Sequence, residues 1–283
     1  MKSIKNILVA TDFSDCATRA LKYAVELGRS TEAKLFILHA YRIPGGTTGT
    51  PYPMTGMYAD TVSIQEQMAK EVKQSLEELE RLHLKGQRVR YELISTCNFP
   101  EEAIEEAISE NNIDLVVMGN RGESSLERLL GSTTTHLMRQ TRCPLLAVPE
   151  DAVFNQVSNI LFATDYQRVD QREAFQGLIA LAQAFRARID VLHIAEESDR
   201  LDSNKLSVGE SLDRALRPMR HSYHHQQAED VIEGLRKYLE RHEEVGILAV
   251  MPRDHSFWER LTQRSVSSQV VFEADRPVLA FRG

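Results

Sequence analysis

Cysteine and clustered positive charge are what this chain has least of. Its cysteines are Cys16, Cys97 and Cys143. None forms a CxxC pair, which excludes a disulfide framework and a thiolate metal knuckle. An odd count confined to the first half fits a reducing compartment, and a cytoplasmic protein is the expectation. Basic residues form no strong run. Net charge is −7, with 17 Lys and Arg against 20 Asp and Glu in residues 1–150 and 17 against 21 in residues 151–283. That balance argues against a nucleic-acid surface, which needs clustered positive charge. The apolar stretch within MKSIKNILVATDF is far too short for a signal or a membrane span. No GKS or GKT tripeptide marks a Walker loop, and no glycine follows the first strand as a dinucleotide fingerprint requires. What remains is 42% hydrophobic and 27% charged residues, the composition typical of a soluble globular protein, and no membrane and no nucleic-acid partner are expected.

The chain is written twice. NILVATD (Asn6–Asp12) returns as NILFATD (Asn159–Asp165). LFILHA (Leu35–Ala40) answers IDVLHI (Ile189–Ile194), and TRCPLLAVP (Thr141–Pro149) answers DRPVLAFRG (Asp275–Gly283). The repeat places a boundary near Glu150–Ser158, giving domains 1–150 and 151–283. One long segment differs. The first copy reads MGNRGESSLERLLGSTTTH from Met118 to His136; the second reads MPRDHSFWERLTQRSVSSQ from Met251 to Gln269.

In each copy short apolar runs alternate with amphipathic stretches, the pattern of parallel strands joined by right-handed helical crossovers. In the first copy strands are expected at Ile7–Thr11, Lys34–Ala40, Val89–Ile94, Asp114–Met118 and Leu145–Val148. Helices are expected at Asp15–Arg29, Thr61–His83, Glu101–Ser109 and from Ser124 or Ser132 onward. Pro44–Ala59 reads as a long loop. In the second copy strands are expected at Ile160–Thr164, Arg188–Ala195, Val245–Met251 and Pro277–Phe281. A helix is expected over Gln171–Phe185, with partial helix in Ser203–Glu229. The fold class is therefore two tandem doubly wound α/β domains, each a five-stranded parallel sheet with helices on both faces. A ligand would sit outside the carboxyl ends of the strands.

The candidate site follows the fourth strand. Gly119 and Gly122 would let backbone approach an anion, and Gly131-Ser132 would open a helix whose N–H groups bind phosphate. Ser132, Thr133 and Thr134 add hydroxyls, and Arg121 or Arg128 adds charge. Asp12 has two readings. It caps the following helix, as Ser14 or Asp15 also would, or it contacts a ribose, a base or a phosphate-bound metal. For Asp165, which lacks the glycine partners, the structural reading is preferred.

With these residues in view, the chain resembles a tandem universal stress protein, two fused UspA-type domains. The resemblance rests on the ATD after strand one, the LHxx of strand two, DLVVMG before the glycines and CPLLAVP at the end. It implies a 3-2-1-4-5 strand order and final strands that pair antiparallel, here within one chain as a pseudo-dimer. It implies an adenine nucleotide (ATP, ADP or AMP), with or without Mg2+, bound by the first domain. The nucleotide-binding branch carries G-x2-G-x9-G-[S/T]; Gly119, Gly122, Gly131 and Ser132 match its residue types, with a last spacer of eight residues. By the same resemblance Asp12 would contact the adenosine and a backbone group at Ala40 the adenine. Asn98 stands where members often carry glycine and tolerates a left-handed backbone. The second copy has Pro252, His255 and Arg264 at the motif positions and keeps only Ser265, with Phe257 and Trp258 filling the loop, and resembles the branch that does not bind ATP.

Other residues read as structural. His39 and His193 recur at a buried strand end, consistent with packing or a backbone hydrogen bond. His221, His224 and His225 (HSYHH), with His242 and His255, read as part of a surface helix rather than a metal site. Cys143 mirrors Arg276 and reads as packing. Cys16, in a helix first turn, leaves a redox role open. The Ser132/His136 pair lacks a third group to orient the histidine. The leading expectation is a stress-response protein with a regulatory adenine nucleotide, hydrolysed slowly if at all. A nucleotide-free scaffold for an unidentified protein partner and a slow adenine-nucleotide hydrolase are the alternatives. The hydrolase would need a catalytic group such as Tyr52 or Tyr58. Two tandem chains pairing as a homodimer would suit either binding reading.

Overall fold

A computed structural model describes residues 3–43, 57–120, 132–154, 157–164, 166, 175–195, 203–251 and 276–282. The first half contains β1 (Asn6–Ala10), α1 (Asp15–Thr31), β2 (Lys34–Tyr41), α2 (Met57–Leu79), β3 (Arg90–Cys97), α3 (Pro100–Glu110), β4 (Leu115–Gly119), α4 (Ser132–Gln140) and β5 (Leu145–Val148). The second contains β6 (Asn159–Ala163), α5 (Gln176–Phe185), β7 (Arg188–Ala195), α6 (Ser203–Leu216), β8 (His221–Gln227), α7 (Val231–Arg241), β9 (Val245–Val250) and β10 (Val278–Ala280). All ten strands form one sheet, ordered β3-β2-β1-β4-β5-β10-β9-β6-β7-β8. Each half has the expected 3-2-1-4-5 order and is parallel within itself.

Burial explains the strand sequences. Central strands such as β4 (LVVMG) are covered on both faces and are apolar throughout. The outer strands β3 and β8 alternate between more and less exposed residues and are largely polar, which suits an edge. One face packs under α1, α2, α5 and α6, and the other under α3, α4 and α7. No described helix is long and apolar enough to cross a membrane.

The halves join through β5 and β10, which pair antiparallel with Leu146 opposite Leu279. This is the expected intrachain pseudo-dimer contact. Aromatic rings reinforce it. Phe154 lies between Tyr23 of α1 (4.9 Å) and Phe185 of α5 (5.5 Å). Within the second half, Phe281 next to β10 packs on Phe162 and Phe175 at 5.5 and 6.0 Å. Gly177 opens α5 directly over Pro144, where an added Cβ would lie 2.3 Å from the proline ring. Only glycine fits that crossing.

Two expectations are corrected. HSYHH is not a surface helix but the edge strand β8, paired in parallel with β7. Histidine has no strong preference of its own, so strand pairing decides. Alternation sends His224 towards Tyr238 on α7 and His221 towards Asp213 on α6, so these histidines cannot converge on one ion. Among the described residues no group of three His, Cys, Asp or Glu could hold a metal. The loop expected over Pro44–Ala59 also ends early, because α2 already begins at Met57; residues 44–56 of that loop lie outside the described residues.

One buried group distinguishes the halves. Asp190, third residue of β7, is 1% exposed. It accepts hydrogen bonds from Asn159 Nδ2 (2.7 Å), Arg188 Nη2 (3.0 Å) and Ser222 Oγ (2.5 Å), with His224 Nε2 at 3.6 Å. The hydroxyl of Tyr238 is buried and has no hydrogen-bond partner among the described residues. Burial, then the charges of Asp190 and Glu244, raise the Tyr238 phenol pKa, so it stays protonated. The third residue of β2 is Phe36, whose own strand partner is Glu92. The fold therefore does not demand a carboxylate at this place. Asp190→Ala leaves the buried Asn159 amide without its acceptor and should destabilise the chain by about 3 kcal/mol. A lowered urea midpoint is the expected reading; an unchanged one would mean that the network contributes nothing to stability.

Candidate functional site

The site is built on the carboxyl ends of β1, β2 and β4. Thr11 extends the ladder by donating its N–H to Leu38 O (2.9 Å). Phe13 then turns the chain with φ 65, a conformation that costs a non-glycine residue roughly 1 kcal/mol or more. Thr11 Oγ1 offsets this by accepting from Phe13 N at 3.0 Å. Ser14 caps α1 by accepting from Ala17 N at 3.2 Å. Asp12 is not the cap. Its Oδ1 accepts from Ser14 N (3.1 Å) and Ser14 Oγ (2.6 Å), which aligns the cap and leaves Asp12 exposed at the rim.

His39 supports the same turn. Its Nδ1 lies 2.8 Å from Thr11 O, and its ring lies 4.4 Å from Phe13. A carbonyl can only accept, so Nδ1 carries the proton. The second half repeats the device. Tyr166 has φ 54, its N–H donates to Thr164 Oγ1 (3.2 Å), and His193 Nδ1 lies 2.9 Å from Thr164 O. The structural reading of both histidines holds.

At the end of β4, Gly119 is buried and its carbonyl accepts from Thr134 Oγ1 at 3.1 Å. This bond pins the first turn of α4 to the strand end. Asn120, which the sequence reading passed over, is buried. Its N–H donates to Val148 O (3.0 Å), and its Oδ1 accepts from the Cys16 thiol (3.3 Å). Its only sequence signal is a polar residue directly after an apolar strand. Cys16 is thereby a buried thiol with acceptors on Asn120 and Val148, which fits packing better than redox chemistry. Cys143 is buried too, its thiol 3.5 Å from Ile113 O.

Among the expected site residues, Asp12, Ala40 and Gly119 stand at the ends of adjacent strands. Ser132 is the first residue of α4 and Thr133 the second. Arg121, Gly122 and Gly131 lie outside the described residues, as do Tyr52, Asp165, Pro252, His255, Phe257, Trp258, Arg264 and Ser265. Thr133 Oγ1 donates to Glu101 Oε1 at 2.7 Å, tying the first turns of α3 and α4 together. On the outer side Arg42 lies over Phe99 at 4.0 Å, and Asn98 Oδ1 accepts from Phe99 N at 2.7 Å.

The halves differ beside the strand-two end. Ala40 is half-buried. Its counterpart, the seventh residue of β7, is Ile194, which is buried. There α7 presses onto the strand through Gly234, where an added Cβ would lie 2.9 Å from Ile194 Cγ2 and 2.8 Å from Ala228 Cβ. The first half has Ala103 at the matching place in α3, with the strand end less covered.

The model of the universal stress protein family matches residues 3–149. The chain belongs to the universal stress protein family. Universal stress protein YxiE of Bacillus subtilis is 34% identical over 146 residues, covering 50% of this chain and 97% of that protein. Universal stress protein MJ0531 of Methanocaldococcus jannaschii is 26% identical over 148 residues, covering 51% and 81% respectively. A crystal structure of a universal stress protein from Archaeoglobus fulgidus aligns over 98% of both chains with a TM-score of 0.63 at 17% identity, a likeness of fold. This universal stress protein thus carries the family fold twice. Its first-half rim is held by the Ser14 cap, so Ser14→Ala should destabilise the chain by about 1 kcal/mol. Amide exchange in residues 12–17 should quicken with it. Unchanged exchange would remove the cap from this account.

Proposed function

We propose that this universal stress protein binds an adenine nucleotide at the carboxyl ends of β1, β2 and β4, as a regulatory ligand in a stress response. The observation that carries the proposal is the contrast beside strand two. The half that retains the glycine motif has the small, half-buried Ala40, while the half that has lost it has Ile194 locked against Gly234 and Ala228. On this reading residues 1–150 form the binding domain and residues 151–283 a fixed partner domain that completes the shared sheet.

The residues fit such a ligand. The helix start at Ser132 and Thr133 offers backbone N–H donors to phosphate, and its tie to Gly119 O sets it beside the strand end. Gly119, Gly122 and Gly131 would allow close backbone approach, with Arg121 as a source of positive charge. The exposed carboxylate of Asp12 would accept from ribose hydroxyls, and backbone groups at Ala40 would meet the base. Mg2+, where it accompanies ATP or ADP, would neutralise phosphate charge. On this reading the nucleotide is a regulatory ligand that acts by its presence. An unidentified protein partner would read whether the site is filled.

A second reading, a nucleotide-free scaffold, has one observation in its favour: the Glu101 carboxylate already occupies the hydroxyl of Thr133. Calorimetric titration with ATP, ADP and AMP, with and without Mg2+, separates the two. Binding at one site per chain is expected. Ala40→Ile, which copies the second half, should weaken it by roughly tenfold or more, the cost of overpacking a filled site. Failure of the wild type to bind any of the three nucleotides would leave the scaffold.

A further inference from the structure

We infer that Glu101 makes the site selective for phosphate charge, admitting phosphates freely only when their charge is small or neutralised by a divalent cation. The inference rests on the nucleotide reading and deepens it. Glu101 lies in the first turn of α3, and its Oε1 accepts from Thr133 Oγ1 in the first turn of α4 at 2.7 Å. Both side chains are half-buried. One carboxylate therefore serves two helix starts, each an electropositive end that favours an anion. A phosphate arriving at α4 would seek the same donors and meet that carboxylate.

Among the described residues, the charge carried by α3 does not offset it. α3 carries Glu101, Glu102, Glu105, Glu106 and Glu110 and no Lys or Arg. Asp12 adds a carboxylate at the end of β1, exposed and aligned with the Ser14 cap. Arg42 lies over the ring of Phe99, the residue before α3, at 4.0 Å. Each further phosphate would add negative charge beside this acidic helix, where partly buried charges interact far more strongly than in bulk water.

The duplication argues that the carboxylate is not required by the fold. α7 is the counterpart of α3, and its second residue is Ile232 where α3 has Glu101. Glu102 has a counterpart in Glu233, so the first-turn acid that helix starts favour is kept in both copies. Of the two acids in the first turn of α3, the one without a counterpart in α7 is the one that touches α4.

The experiment is calorimetric titration of the full chain with adenosine, AMP, ADP and ATP, in EDTA and then in excess Mg2+. The variants are Glu101→Gln and Glu102→Gln. Glutamine keeps an acceptor for Thr133 and removes the charge. The exposed Glu102 gives the same change in net charge without the contact. In EDTA, Glu101→Gln should tighten ATP roughly tenfold and ADP less, and leave adenosine within about twofold, the size expected for one nearby charge at partial burial. Mg2+ should shrink the ATP difference, and Glu102→Gln should leave the ligand order as in the wild type. An equal shift for adenosine and ATP, or no shift for either, would overturn the inference while the nucleotide reading stood. Absence of binding by all three proteins to all four ligands would overturn both.

Discussion

The antiparallel pairing of β5 with β10 is the contact on which the rest of the molecule depends. β5 is a four-residue strand with every residue buried. A parallel five-stranded sheet ending in such a strand would expose a row of unpaired backbone groups beside apolar side chains, and an edge of that kind must be covered. β10 covers it from within the same chain. The partner is present at the effective concentration of a tether rather than of a second molecule. The contact of Phe154 with Tyr23 adds side-chain packing across the join, and buried residues of both halves share the same core clusters. Because the pairing is antiparallel, strands in the two halves run in opposite directions. Their carboxyl ends, where α/β sheets bind ligands, open towards opposite edges of the sheet.

Duplication also separates what the fold needs from what one half has added. The turn after the first strand is kept in both copies down to its atoms: a threonine hydroxyl accepting from an aromatic residue at positive φ, and a histidine Nδ1 on the threonine carbonyl. Such a turn is structural equipment. Differences are more informative. Phe36 against Asp190 shows that the second half has taken on a buried carboxylate with its own donors. Ala40 against Ile194 leaves a strand end partly open in one half and closed in the other.

Much of this was legible in the sequence because the strands are short, apolar and repeated. The bounds expected for β5 and β7 are the ones observed, and the 3-2-1-4-5 order follows from the family resemblance. Legibility failed where local pattern and tertiary pairing disagree. HSYHH has no apolar period, and only its pairing with β7 makes it a strand. The helix α2 ends in a single π-helical turn, Glu80–Leu84, which no residue pattern announced. For the candidate site, Asp12, Ala40, Gly119 and Thr133 were expected from motif and resemblance. Asn120 and Glu101 were not, because their roles exist only once β4 meets α1 and α3 meets α4. The glycines that carried the sequence argument most strongly, Gly122 and Gly131, fall outside the described residues.

The central claim is that one half binds and the other braces. Hydrogen–deuterium exchange of the full chain, compared with and without saturating Mg-ATP, tests it most directly. The account predicts slowed exchange in peptides covering residues 11–16, 39–43, 97–103 and 132–136, with the corresponding second-half peptides around residues 164, 194 and 228–234 unchanged. Equal protection in both halves, or protection confined to the second, would contradict it.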